Sequence, residues 1–392
     1  MANPTSFIVA ARRSPIGRFL GGLSRLSAAQ IGTQVARAAL ADTKLDPAAI
    51  DEVQVGMVLQ AGAGQNPARQ IALGAGLPDT ISCCTVNKVC GSGLQAVMYA
   101  DQMIRCGDAQ VVLAGGIESM SQAPFLVREM RAGQKFGNCK LIDSLEYDGL
   151  INVYDDAVMG AIGEETAEKC GCTRAAQDAF AARSHQRAAQ AAASGFFKQE
   201  IVPIEIRPGK EPIAADEGIR PETTADSLGI LKPVFKPGGT ITAGNSSQLS
   251  DGAAMTFVAS EGAVKKHGLR PIARIVAHTT TGAPPHDVFL TPISACQRVC
   301  QKAGWTLGSV DLWDINEAFA AEMVAVSKGL ELDPEKLNVH GGAIALGHPL
   351  GASGTRVLVS LLHAMVRRSA KRGVAAMCLG GGNAVAMAVE RV

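Results

Sequence analysis

Leu45-Asp-Pro-Ala-Ala-Ile-Asp-Glu-Val-Gln-Val55 lies opposite Trp305-Thr-Leu-Gly-Ser-Val-Asp-Leu-Trp-Asp-Ile315 when the sequence is laid along itself. A second block falls into step with the first. Cys90-Gly-Ser-Gly93, a helical stretch and Val111-Val-Leu-Ala-Gly-Gly116 face Gly351-Ala-Ser-Gly354, a helical stretch and Val374-Ala-Ala-Met-Cys-Leu-Gly-Gly381. Both pairs share an offset of roughly 260 positions, the sign of an internal duplication. Chance similarity between Ala- and Gly-rich segments does not hold one register over two separate blocks.

Each half repeats helix, strand, small-residue turn, helix, strand, Gly-Gly. Phe7-Ile-Val-Ala-Ala11, Val53 to Val58 and Val111 to Gly116 read as strands, and Ala28 to Leu40 reads as an amphipathic helix. The fold class is therefore α/β, with two similar halves meeting face to face over a cleft. Between them lies a more charged zone in which Gly209-Lys-Glu-Pro212 and Lys236-Pro-Gly-Gly239 read as loops laid over the scaffold. The expected units are a first half, residues 1–120 with 248–270; a loop domain, 121–247, acting as a lid; and a second half, 271–392.

The chain has 392 residues, 47% hydrophobic and 19% charged, with a formal net charge of +1. That suits a well-buried enzyme and argues against disorder or a polyanion partner. The basic patch Arg367-Arg368 to Lys371-Arg372 reads as a solvated helix end, not a nucleic-acid surface. Arg12 and Arg13 follow the first apolar run instead of preceding it, unlike a secretory signal. No stretch approaches the roughly 18 apolar residues that span a bilayer. Ten cysteines occur without a paired CxxC spacing, so no metal site is expected, and most read as small buried hydrophobes in a reducing cytoplasm.

Four motifs carry chemistry. Asn87-Lys-Val-Cys90-Gly-Ser-Gly93 puts a cysteine ahead of a helix, where free N–H groups favour a thiolate and lower the thiol pKa. Gly91 and Gly93 leave room for close approach of substrate or backbone. Gly341-Gly-Ala-Ile-Ala-Leu-Gly-His348-Pro holds a histidine in a tight loop, suited to taking a thiol proton. Met377-Cys378-Leu-Gly-Gly-Gly-Asn383 ends a buried strand in glycines whose N–H groups suit an oxyanion hole. It lacks the Lys-Ser/Thr of a phosphate loop and runs into another strand, so a nucleotide site is rejected. Asp314-Ile-Asn316-Glu317 is a polar group at a strand end that could order a water.

In this order, and with Arg12-Arg13-Ser-Pro, Gly115-Gly-Ile-Glu-Ser-Met-Ser121 and Thr242-Ala-Gly-Asn-Ser-Ser247, these motifs resemble the thiolase family over nearly the whole chain. The pattern is closest to its short-chain bacterial acetyltransferases. The resemblance implies a thiolase-like fold: two duplicated βαβαβαββ halves in α/β/α/β/α layers, plus a loop domain. It implies that Cys90 becomes acylated, His348 accepts its proton, and Cys378 handles the α-proton of a second acetyl-CoA. One oxyanion hole is His348 with a water on Asn316, and the other is the N–H groups of Cys90 and Gly380. Coenzyme A thioesters are substrates, with no permanently bound cofactor. The matching coenzyme A positions are Arg220, Ser227, Phe235, Ala243, Ser247, Ala318 and Phe319. A homodimer or homotetramer, without nucleic acid or membrane, is also implied.

Two segments depart from that pattern. A His-Met-Gly over the acyl group is replaced by Asp155-Asp-Ala-Val-Met-Gly160 with extra residues, leaving Met159 or Ile162 to take the methionine's place. Val288, followed by Phe289 and Leu290, stands where relatives carry methionine. Chain-length and branching preference is the property these changes touch. The alternatives are a 3-ketoacyl-CoA thiolase for longer or branched chains and, in another class, a non-catalytic acyl-CoA binder. The binder has no need of two reactive thiols.

Overall fold

The computed structural model describes residues 5–392; the opening residues of the expected first half, 1–4, lie outside the described residues. The first half runs β1 (Ser6–Arg13), α1 (Ala28–Thr43), β2 (Glu52–Gly56), α2 (Pro67–Gly74), β3 (Ser82–Val86), α3 (Ser92–Cys106) and β4 (Val111–Ser119). After a long excursion holding α4 (Met159–Cys170) and α5 (Arg174–Ala193), β5 (Ser250–Ser260) completes it. The second half runs β6 (Ala273–Gly282), α6 (Thr291–Ala303), β7 (Leu312–Ile315), α7 (Ala320–Leu330), α8 (Leu350–Arg367), β8 (Arg372–Leu379) and β9 (Asn383–Arg391).

The strands stand in the order β7-β8-β9-β6-β1-β5-β4-β2-β3. The halves join through β1 and β6, which share only the pairs Phe7↔Arg274 and Ile8↔Ala273. In the first half β3, β2 and β4 run parallel to one another, and in the second β7 runs parallel to β8; the remaining pairs in each half are antiparallel. Helices α3 and α8 pack on each other and form the middle layer. Helices α1 and α2 cover the outer face of one half, and α6 and α7 that of the other. The five expected layers are therefore present.

The duplication is incomplete at one edge. The first half is a full βαβαβαββ run. In the second, the counterpart of β3 shrinks to isolated bridges, Trp313↔Leu337 and Val339↔Gly341. The middle zone also holds more regular structure than its turn residues suggest. Thr173 caps α5 by accepting the Ala176 N–H, and α4 and α5 both pack on α7.

Candidate active site

Cys90 sits in the turn between β3 and α3. Val89, just ahead of it, is held at φ +45°, which a β-branched residue adopts only under constraint. The constraint is local. Asn87 Oδ1 accepts the Val89 N–H at 3.0 Å, and Ser92 Oγ accepts the Lys88 N–H at 2.8 Å while donating to the Val89 carbonyl at 2.6 Å. A Cβ on Gly91 would lie 2.2 Å from Leu379 Cδ2, and one on Gly93 would lie 2.7 Å from the Gly351 carbonyl oxygen. The glycines thus let the cysteine turn of one half press against β8 and α8 of the other.

The thiol is not acidified. Burial pushes Cys90 up to about 12, opposed by the backbone N–H groups of Gly380 and Cys90. This corrects the expectation from the helix N-terminus, because desolvation of the thiolate outweighs the dipole here. Cys90 is half-exposed as a residue because one side faces the pocket, yet its sulfur is enclosed by protein on the others. A protonated resting thiol needs a base.

His348 is the imidazole that lines the same pocket. It precedes α8 and is buried. Ser353 donates its hydroxyl to the Pro349 carbonyl at 2.9 Å and lies 2.6 Å from His348 Nδ1. With that hydroxyl proton committed, Nδ1–H is the donor of the pair, which leaves Nε2 as the acceptor nitrogen. Asn316 Nδ2 stands 3.5 Å from Nε2, and Arg356 Nη2 holds Asn316 Oδ1 at 3.5 Å. Burial, then the Arg356 charge, pulls the imidazole down to about 3, so it is neutral at rest.

Cys378 ends β8, buried. Burial first, then the Glu322 and Cys90 sulfur charges, push its thiol far above the ordinary range. Cys90, His348, Cys378 and Gly380 all line one pocket of about 220 Å³ at the junction of the halves. Its walls include Phe235, Ser247, Ala318 and Phe319, four of the expected coenzyme A positions. Met159, not Ile162, reaches the pocket, since Ile162 is wholly buried elsewhere. Val288 and Phe289 close another side, and Leu290 does not reach it. Phe289 meets Phe319 edge-on at 5.2 Å.

Asn316 stands one layer behind the pocket, through His348. Arg220, Ser227 and Ala243 lie outside it and exposed. The Ser227 hydroxyl is engaged in the capping box of its own short helix, accepting the Thr224 N–H at 3.0 Å and donating to the Thr224 carbonyl. Arg220 belongs to a segment tied to the pocket wall: Gln248, which lines the pocket, donates to the Gly218 carbonyl at 3.1 Å.

Sequence reasoning missed Ser353, Arg356 and Glu322. Ser353 carried a signal, five residues past the histidine and one turn into a helix. Glu322 carried one too, as the lone acid in the apolar run Ala318-Phe-Ala-Ala-Glu-Met-Val-Ala325. Among the described residues, no cluster of three or more His, Cys, Asp or Glu could hold a metal, and no helix is long and apolar enough to cross a membrane.

A duplicated five-layer α/β fold with two cysteines and a histidine in one buried crevice defines a class of protein, and comparison with known proteins agrees. The thiolase N-terminal domain model matches residues 6–262 and the thiolase C-terminal domain model matches residues 269–391. The chain belongs to the thiolase family. It is 50% identical to an acetyl-CoA acetyltransferase of Allochromatium vinosum, covering 100% of both chains. It superposes on human mitochondrial 3-ketoacyl-CoA thiolase with a TM-score of 0.97 at 42% identity over 100% of both chains. A structure of that human enzyme in complex with CoA gives 0.96 at 41% identity, covering 99% of this chain and 98% of that one.

Proposed function

We propose that this chain is an acetyl-CoA C-acyltransferase that condenses two acetyl-CoA to acetoacetyl-CoA and runs the reverse thiolysis. The observation that carries the reading is the convergence of Cys90, His348, Cys378 and Gly380 on one pocket. In the first step His348 Nε2 takes the Cys90 proton as the sulfur attacks the thioester carbonyl. The carbon–sulfur bond to coenzyme A breaks, and the departing thiolate leaves with that proton. In the second step Cys378, deprotonated for the step, removes a proton from the α-carbon of another acetyl-CoA and passes it to the Cys90 thiolate that the product releases. The resulting carbanion attacks the acyl-Cys90 carbonyl and expels the Cys90 thiolate.

Both steps build negative charge on a carbonyl oxygen, and each needs donors where it forms. The Cys90 and Gly380 N–H groups serve one oxyanion, and protonated His348 with a water on Asn316 serves the other. A neutral, buried imidazole suits this double role, because it is charged only while an anion faces it. Coenzyme A is read as lying along Phe235, Ser247, Ala318 and Phe319, with Ala243, Ser227 and Arg220 toward its nucleotide end. Arg220 is suited to phosphate, and the Gly218–Gln248 bond supports that path.

A second reading, 3-ketoacyl-CoA thiolase activity on longer or branched chains, draws on Met159, Val288 and Phe289 at the acyl end of the pocket. Thiolysis rates across ketoacyl chain lengths separate the two. We also infer a division into a first half of residues 1–120 with 248–270, a loop domain of 121–247 and a second half of 271–392, a cytoplasmic role in acyl-CoA or fatty acid metabolism, and a homodimer or homotetramer. Strand β3 is an uncovered sheet edge, and Phe136 in the excursion is 97% exposed, both of which favour self-association. The decisive experiment is acetoacetyl-CoA thiolysis by wild type and Cys90→Ala side by side. Turnover is expected only in the wild type, and equal rates overturn the mechanism.

A further inference from the structure

We propose that Glu322 and Cys378 form one acid/base pair that shares a single proton, the carboxyl setting the basicity of the thiol that handles the substrate's α-proton. This deepens the two-thiol reading above and rests on it.

Glu322 lies in the first turn of α7 and is wholly buried. Its Oε2 accepts the Ala318 N–H at 3.1 Å, while its Oε1 is buried with no hydrogen-bond partner. A carboxylate oxygen left bare in a protein interior costs about 1–3 kcal/mol or more, so such a group calls for an explanation. Two other buried glutamates near the site show what satisfaction looks like. Glu317 accepts from Ser184, Asn338 and the Ile344 N–H. Glu118 accepts from the Val58, Leu59 and Gly351 N–H groups. Of these three, only Glu322 keeps an open oxygen, and only Glu322 adjoins the Cys378 thiol.

The titratable groups that face Glu322 are Cys378 from β8, Cys90 from the turn ahead of α3, and Glu317 from the end of β7. Burial pushes the Glu322 carboxyl up to about 8, opposed by the Cys378 thiol and the Ala318 and Phe319 N–H groups. Two such groups in contact cannot both ionise cheaply, so they titrate as a unit. The first proton leaves from the carboxyl, and the one that remains sits between sulfur and oxygen. In condensation the Cys378 S–H bond breaks as an O–H bond forms on Glu322. The thiolate then takes the α-proton, the electron pair stays on carbon, and the captured proton passes on to the Cys90 thiolate released by the product.

The test is the pH profile of the carbon–carbon bond step in wild type and Glu322→Gln, with transfer of labelled acetyl from acetyl-CoA to Cys90 followed in parallel. Glutamine keeps the volume and the Ala318 acceptor. The wild type is expected to show an ionisation near about 8. In Glu322→Gln that limb moves to higher pH, because the thiol must ionise alone, and each unit of displacement lowers the rate on the acid side about tenfold. The profile of Cys90 acetylation, which depends on His348, is expected to stay in place. Superimposable carbon–carbon profiles overturn the pair. A parallel fall of both half-reactions with a lower melting temperature also overturns it, as a structural effect. Failure of the wild type to acetylate Cys90 at all removes the two-thiol reading instead.

Discussion

Ahead of α3 the first half carries Cys90; at the equivalent place, in the first turn of α8, the second half carries Gly351, with its imidazole three residues earlier at His348. The strand ends differ as well. Val55 pairs with Gly115 in one half and Ile315 with Ala376 in the other, so the sheet register makes Ile117 the counterpart of Cys378. One backbone plan, used twice, therefore delivers one thiol from one side of the crevice and an imidazole and second thiol from the other. The backbone difference, the lost counterpart of β3, lies at the far edge of the second half's sheet.

The strongest way to break this division of labour is to remove one sulfur at a time. Cys90→Ala should lower both directions by ~10³-fold or more and abolish labelled acetyl-enzyme. Cys378→Ala should still trap acetyl on Cys90 while the carbon–carbon step falls ~10²–10⁴-fold. If the two variants lose the same half-reaction, the assignment of separate roles to the halves is wrong.

His348→Asn is expected next in size, slowing Cys90 acetylation ~10²-fold or more at neutral pH. The sign of its pH dependence is specific. Without the imidazole the thiol must ionise unaided from about 12, so the variant should gain rate with rising pH over a range where the wild type is flat. A stopped-flow burst of coenzyme A release measured against pH gives the answer.

The contact between halves can be tested without touching chemistry. Gly91→Ala places a methyl 2.2 Å from Leu379 Cδ2, an overpacking that costs about 1–3 kcal/mol. Its melting temperature should drop, and the double variant with Leu379→Ala should recover part of the loss. Full stability of the single variant would mean the halves are less tightly pressed than their geometry states.

The smallest effect is expected at the pocket cover. His286 bridges Asp155 through Nε2 at 2.5 Å and Glu165 through Nδ1 at 2.6 Å. It thereby ties the Val288–Phe289 segment to the segment bearing Met159. The Glu165 and Asp155 hydrogen bonds raise its pKa. A raised folded-state pKa means the tie is complete below the ordinary imidazole value and is lost as pH climbs through the raised one. All three groups are exposed, so the contribution is small. His286→Gln should flatten the alkaline rise in KM for acetoacetyl-CoA, and an unchanged KM profile would show that the bridge does not govern the cover.

Much of this was legible in order along the chain. The duplication, the α/β alternation and the motifs around Cys90, His348 and Cys378 are local patterns, because a strand–turn–helix junction is written in a few consecutive residues. The α5 helix was obscured by its turn-rich surroundings, and the shortened edge of the second half by the repeat itself, which suggested two equal copies.

What the sequence by itself determined is the family, the doubled architecture and the two cysteines and histidine that meet in the pocket, all of which follow from residue type and spacing. Only the tertiary structure decided their protonation and their company. It turned the helix-end cysteine from an expected thiolate into a buried thiol, set Glu322 against Cys378, and made Met159 instead of Ile162 part of the pocket wall. Desolvation and contact depend on segments distant in sequence, and spacing along the chain does not encode how much water a folded side chain retains.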